Sequence, residues 1–227
     1  MKCNKFLIRT FKMLWPIVTE SEQAQLISLL DSQPTKSVEV QGHAINFGSL
    51  KTFLNSETWV GDLYMNEYLD LMRKSVKNSS FSVRSSFDFP LLTRMKQGSE
   101  FEAFARKFCS FHCSIFPICT SYHWLTVILT PNCATLEIYD SLSLKHDLIE
   151  QTFRNLWSYI KAEKGWKTDL TIRYRNCQKQ LDDNSCGLFC ISHIKSLYVG
   201  CSPPNIQESL SAIRFHIINS LITAEFH

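Results

Sequence analysis

Apolar residues recur at intervals of three and four in several stretches of this chain, and alternate one by one in others. Leu26, Leu29 and Leu30 give one apolar edge to a helix predicted near Glu20–Ser32. A second helical pattern, from about Trp59 to Lys74, sets Val60, Tyr64, Tyr68 and Leu71 on one face. Phe101, Phe104, Ala105 and Phe108 predict a short helix. Ile149, Phe153, Leu156 and Ile160 predict a longer one. It opens on Asp147 and Glu150, where the helix dipole favours acid, and stops at Gly165. Leu188, Ile191 and Ile194 mark a helix from Cys186 to Leu197. Ile206, Leu210, Ile213 and Ile217 mark the last one, behind Pro203-Pro204 and an Asn205-x-x-Glu208 capping pattern.

Between these helical stretches the period changes. Ile115-Phe116-Pro117-Ile118 and the run Trp124–Leu129 read as buried strands, with Thr130-Pro131-Asn132 as the turn after the second. Leu136, Ile138 and Asp140 alternate with Glu137 and Tyr139. A further strand is predicted at Leu170–Tyr174, and Lys74–Ser86 reads as a loop with strand character at its end. Helices therefore flank a central run of strands, mostly antiparallel. The fold class is α+β.

Composition narrows the picture only a little. With 227 residues, 44 % of them apolar, the chain suits one substantial domain without a disulfide scaffold. Residues 21–227 are read as that single domain, and residues 1–20 as a disordered or loosely docked leader. Arg9 and Lys12 interrupt the apolar run that would otherwise resemble a signal peptide. A net charge of +3 is too small to imply nucleic-acid or membrane binding, and no apolar stretch approaches the ~18 residues of a membrane span. The nine cysteines form no evident framework, which points to reduced thiols in an intracellular compartment, nucleus or cytoplasm.

Three stretches could carry chemistry: Tyr122-His123-Trp124, Tyr139-Asp140-Ser141, and Gln180 through Cys190. If Pro131 and Asn132 form the tip of a symmetric hairpin, paired residue numbers sum to 263, which sets His123 against Asp140. Opposed residues have Cβ atoms roughly 4.5–5.5 Å apart, close enough for a carboxylate to fix an imidazole tautomer. Cys186 sits where a polar loop gives way to an apolar helical pattern. A thiol at a helix N-terminus faces the positive end of the dipole, and Gly187 leaves its approach open. The backbone N–H of Cys186 and the side-chain amide of Gln180 are candidate donors to an oxyanion.

Each residue alone has a structural reading: a core histidine, a buried thiol, an acid that ends its strand. The combination fills every role in thiol acyl transfer. Cys109, His112, Cys113 and Cys119 raise the question of zinc, but no second ligand pair matches them, and the segment runs from a helix into a strand. No metal or organic cofactor is expected. Asp182-Asp183 reads as a solvated loop.

His123-Trp124, then Asp140, then Gln180 and Cys186-Gly187 resemble, in order and spacing, the ubiquitin-like-modifier proteases of the Ulp/sentrin-specific type. Thr58–Met65 resembles that family's Trp-Leu-Asn-Asp motif, and Phe87-Asp88-Phe89-Pro90 its aromatic-Pro segment. The similarity runs through roughly residues 45–196. Gly61 stands where the family motif has Asn, and Ser185 where many members have Asp. The resemblance implies a papain-like cysteine protease fold, a triad of His123, Asp140 and Cys186, and Gln180 in the oxyanion hole. It implies that Trp59 and Trp124 flank a tunnel for a modifier's Gly-Gly tail, which glycine alone is small enough to thread. The expected activity is cleavage after the C-terminal glycine of a SUMO-like modifier, by a monomer. Two other readings use the same residues: an acyltransferase effector, and a catalytically silent modifier-binding module.

Overall fold

The computed structural model describes residues 14–16, 18–40, 42–76, 80–96, 98–108 and 111–226. The chain divides into two compact units, one made of residues 1–77 and 180–227 and the other of residues 78–179.

The continuous unit is built on a five-stranded sheet in the order β3-β4-β5-β6-β7, where β3 is Phe81–Val83, β4 Cys113–Thr120, β5 His123–Thr130, β6 Thr135–Tyr139 and β7 Thr171–Arg175. The three central strands are antiparallel, and β3 and β7 join parallel at the two edges. Helices α4 (Asp88–Arg94), α5 (Ser99–Arg106) and α6 (Asp147–Lys164) supply Phe89, Phe104 and Phe153 to one core. The sheet meets them with Phe116 and Ile118 of β4, Leu125, Val127 and Leu129 of β5, and Leu136 and Ile138 of β6. These positions are two apart in each strand, as one face of a pleat requires.

The β5–β6 register corrects the symmetric-hairpin expectation. Observed partners such as Thr126 with Tyr139 and Thr130 with Thr135 sum to 265 rather than 263. The reason is the turn: a 3₁₀ segment, Pro131–Cys133, is followed by Ala134 in the left-handed region (φ 49°), so the loop is centred one residue later. His123 and Asp140 are thus diagonal neighbours instead of opposed ones. A shift of two leaves both on the face that carries Leu125 and Ile138.

The discontinuous unit contains α1 (Glu20–Ser32), the hairpin β1–β2 (Ser37–Val40 and His43–Asn46), α2 (Phe47–Phe53), α3 (Asp62–Ser75), α7 (Cys186–Tyr198) and α8 (Leu210–Thr223). Thr19 and Glu22 form a capping box at the start of α1. Helix α3 begins at Asp62, later than the periodicity suggested, because Gly61 is still extended as its N-cap. Similarly, Asn205 accepts from the Gln207 N–H, a 3₁₀ turn follows at Gln207–Ser209, and the last helix opens at Leu210. Leu14 and Trp15 are buried, and Trp15 stacks on Tyr68 of α3 with ring centroids 6.3 Å apart. Residues 1–13 and 17 lie outside the described residues.

Candidate active site

The turn before β5 prepares its first residue. Ser121 and Tyr122 both have positive φ (50° and 60°), and Thr120 pairs with His123 across them. Two consecutive left-handed residues make the tight turn that matches strand twist, at a steric cost usually left to Gly or Asn. His123 emerges from it buried, with Nε2 2.6 Å from Asp140 Oδ1.

Asp140 follows the last residue of β6 and is 3 % exposed. Its Oδ1 also accepts from the Leu142 N–H at 2.8 Å, and Oδ2 accepts from the Leu144 N–H at 2.6 Å. A fourth partner was not found by sequence reasoning: His146, whose Nε2 lies 3.0 Å from Oδ2. Burial works to raise the Asp140 carboxyl. The bonds from His123, His146, Leu142 and Leu144 outweigh it and hold the group well below the ordinary carboxylate range. An ionised carboxylate can only accept, so both imidazoles carry their proton on Nε2. The main-chain oxygen of Asp140 is held as well, by Lys179 Nζ at 3.0 Å and the Cys177 thiol at 3.3 Å. Only a composition cue, a second histidine six residues after the acid, could have drawn attention to His146.

Cys186 is the first residue of α7 and is 1 % exposed. The N–H groups of Leu188 and Phe189 both bond the Ser185 carbonyl, which starts the helix. The preceding loop is drawn together by Asp182. Its Oδ1 accepts from the N–H groups of Asn184 (3.0 Å) and Ser185 (2.7 Å), and its Oδ2 from Gln207 Nε2 at 3.3 Å. Burial raises the Asp182 carboxyl, but these bonds and the Ser185 hydroxyl bring it below its usual value. The solvated-loop expectation therefore fits Asp183, which is exposed, better than Asp182. Gln180 is buried, with its side-chain N–H on the Asp182 carbonyl at 2.6 Å.

Trp59 is 43 % exposed. The chain leading to it is fixed by Arg214 of α8, whose guanidinium donates to the carbonyls of Phe53 (2.9 Å), Ser56 (3.2 Å) and Thr58 (2.7 Å). Trp124 is buried on β5, on the opposite face from His123 by the strand's alternation. The structure thus joins His123 to Asp140 directly within one unit. Gln180, Cys186 and Trp59 belong to the other, the first two on one loop-to-helix junction. Among the described residues no group of three or more His, Cys, Asp or Glu side chains could hold a metal ion. His112 bonds Asn132 and Cys113 lies 3.3 Å from the Thr130 hydroxyl, while Cys109 is outside the described residues. No described helix is long and apolar enough to cross a membrane.

With Asp140 on Nε2, the ring nitrogen of His123 that can exchange a thiol proton is Nδ1. A buried carboxylate of this kind supports the imidazolium that forms. The family model described as "Ulp1 protease family, C-terminal catalytic domain" matches residues 58–220. Sentrin-specific protease 5 of Mus musculus is 24 % identical over 188 residues, covering 79 % of this chain and 24 % of that protein. Sentrin-specific protease 3 of Homo sapiens is 23 % identical over 194 residues, covering 81 % and 33 %. The chain therefore spans a quarter to a third of these relatives. Among solved structures, the SUMO protease Ulp1 with its catalytic cysteine oxidised to a sulfenic acid has a TM-score of 0.75 at 18 % identity, over 93 % of this chain and 98 % of that one. The Ulp1 protease domain in complex with Smt3, the yeast ortholog of SUMO, has a TM-score of 0.73 at 16 % identity, over 92 % and 96 %.

Proposed function

We take as premise that this chain belongs to the Ulp1 protease family, and propose that it is a cysteine peptidase cutting after the C-terminal glycine of a SUMO-like modifier. The observation that carries the reading is the buried His123–Asp140 pair, 2.6 Å between Nε2 and Oδ1, with the acid held ionised. His123 takes the proton of Cys186, and the thiolate attacks the carbonyl of the glycine. The Cys186 N–H and the side-chain amide of Gln180 receive the oxyanion. His123 returns its proton to the leaving amine, and water then hydrolyses the thioester with His123 again as base. No metal or organic cofactor takes part.

The choice of modifier is supported by the relatives, which are named sentrin-specific proteases, and by the neighbour solved with Smt3. Trp59, exposed at the end of a segment fixed by Arg214, and Trp124 would flank the glycine tail. We read residues 21–227 as one catalytic domain acting as a monomer in a reducing, intracellular compartment, nucleus or cytoplasm. A panel of glycine-ended modifiers carrying a C-terminal electrophile tests the proposal. SUMO probes should form an adduct with the wild-type chain and none with Cys186→Ala. An adduct that survives Cys186→Ala would overturn it. Gln180→Ala should lower kcat by roughly 10²–10³-fold while Cys186 still alkylates at near-normal speed.

A further inference from the structure

We propose that His146 is a positioning residue for this reaction, its Nε2–H holding the second oxygen of Asp140 so that the first meets His123 in one orientation. The inference rests on the site reading above. A carboxylate on a short side chain turns freely about its last bond unless both oxygens are held. Here each oxygen accepts two hydrogen bonds: Oδ1 from His123 and Leu142, Oδ2 from Leu144 and His146. Without His146, Oδ2 keeps only the Leu144 N–H among these donors.

His146 is itself fixed from the other side. Its backbone N–H donates to Tyr174 Oη at 3.0 Å, and that hydroxyl donates to Glu150 Oε1 at 2.9 Å. The imidazole is 9 % exposed and lies parallel to that of His123, 7° between planes and 6.4 Å between centroids. It occupies the N-cap of α6, yet its side chain makes no capping bond. Ser, Thr, Asp or Asn would serve a helix better there. The side chain is committed to Asp140 instead.

The ionisable groups around His146 are Asp140 at the end of β6, His123 on β5, Tyr174 on β7, Glu150 on α6, the neighbours Lys145 and Asp147, and Lys179 on the Asp140 carbonyl. Of its ring nitrogens it is Nε2 that meets the carboxylate, and donation from that atom is what the positioning role requires.

Two substitutions separate positioning from bulk structure. Asn at 146 is a favoured helix cap, but its amide reaches only to the Nδ1 position. Gln reaches to Nε2. His146→Asn should lower kcat by about tenfold or more with KM little changed, by analogy with the loss of an outer hydrogen-bond partner of a metal-ligating side chain. His146→Gln should restore most of that rate. Wild-type turnover in His146→Asn, or equal loss in His146→Gln with an unchanged melting curve, would overturn the inference. His123→Ala and Cys186→Ala run beside them keep the two ideas apart. If either retained turnover, the site reading would fall and this inference with it; if both abolish turnover, the His146 variants decide the inference alone.

Discussion

Asp140 and Lys195 are each 3 % exposed, one in each unit, and burial treats them in opposite ways. Around Asp140 the protein supplies donors: two imidazoles and two backbone N–H groups, which keep the carboxylate charged against the loss of water. Around Lys195, on α7, it supplies mostly ring faces. Nζ lies 4.3 Å from the Trp15 centroid, 4.4 Å from that of Phe226 and 5.8 Å from that of Tyr68. Its polar neighbours include Tyr68 Oη at 3.2 Å and His216 Nε2 at 3.1 Å. Ring quadrupoles attract an ammonium, but they do not replace hydration. Desolvation takes the Lys195 amine down to about 7. A dense set of dipoles preserves a buried charge; a box of rings lets it go near neutral pH.

The largest test of that contrast is Asp140→Asn. The amide turns an NH₂ toward groups that are themselves donors, and His123 loses the partner that fixes its tautomer. By analogy with the serine-protease acid, kcat should fall by roughly 10⁴-fold with the fold retained, as circular dichroism would show. A loss under tenfold would mean that Leu142, Leu144 and His146 hold the site without a charge. Next comes Trp15→Ala, which removes the nearest ring from Lys195 and a buried indole from the unit. It should cost about 3–5 kcal/mol in denaturant unfolding. A negligible change would show that the segment before α1 contributes no packing.

Smallest is Lys195→Met, which keeps the stem and deletes the amine. Below pH ~7 the wild-type amine is charged in both the folded and unfolded chain, and the folded one bears the burial penalty. Above the unfolded value of ~10.4 it is neutral in both. Between the two, the unfolded chain binds the extra proton, so wild-type stability should rise with pH relative to Lys195→Met, by at most ~1.4 kcal/mol per unit. At pH 6 the variant should match or exceed wild type. A difference that is flat from pH 7 to 10 would mean that the amine stays charged in the fold.

How much of this was written in the sequence depends on range. Helix α1 and the start of α7 were read to the residue, because the spacing of Leu26, Leu29 and Leu30 and an abrupt polar-to-apolar change at Cys186 are local signals. The strand assignments were close for the same reason. The hairpin β1–β2 and α2 were not found: β1 and β2 are four residues each and largely exposed, so alternation has nothing to act on. Helix α4 hid inside an aromatic-Pro segment, since Pro90 is tolerated within its first turn. At the site, His123, Asp140, Gln180 and Cys186 were named from residue type and order. His146 and Arg214 were not, because each acts through a contact that only folding creates.

The four-residue turn from Pro131 to Ala134 also says something about which other chains could share this chemistry. Because side chains alternate along a strand, what must be kept is the pairing of β5 with β6: a one-residue slip of that register would carry the acid to the far side of the sheet, while the turn between the strands can gain or lose residues, singly or in pairs, as long as the same strand residues meet. The 17-residue separation between the two is therefore not itself a signature. The register is. A search for relatives that demanded the length would miss functional chains whose turn is shorter or longer.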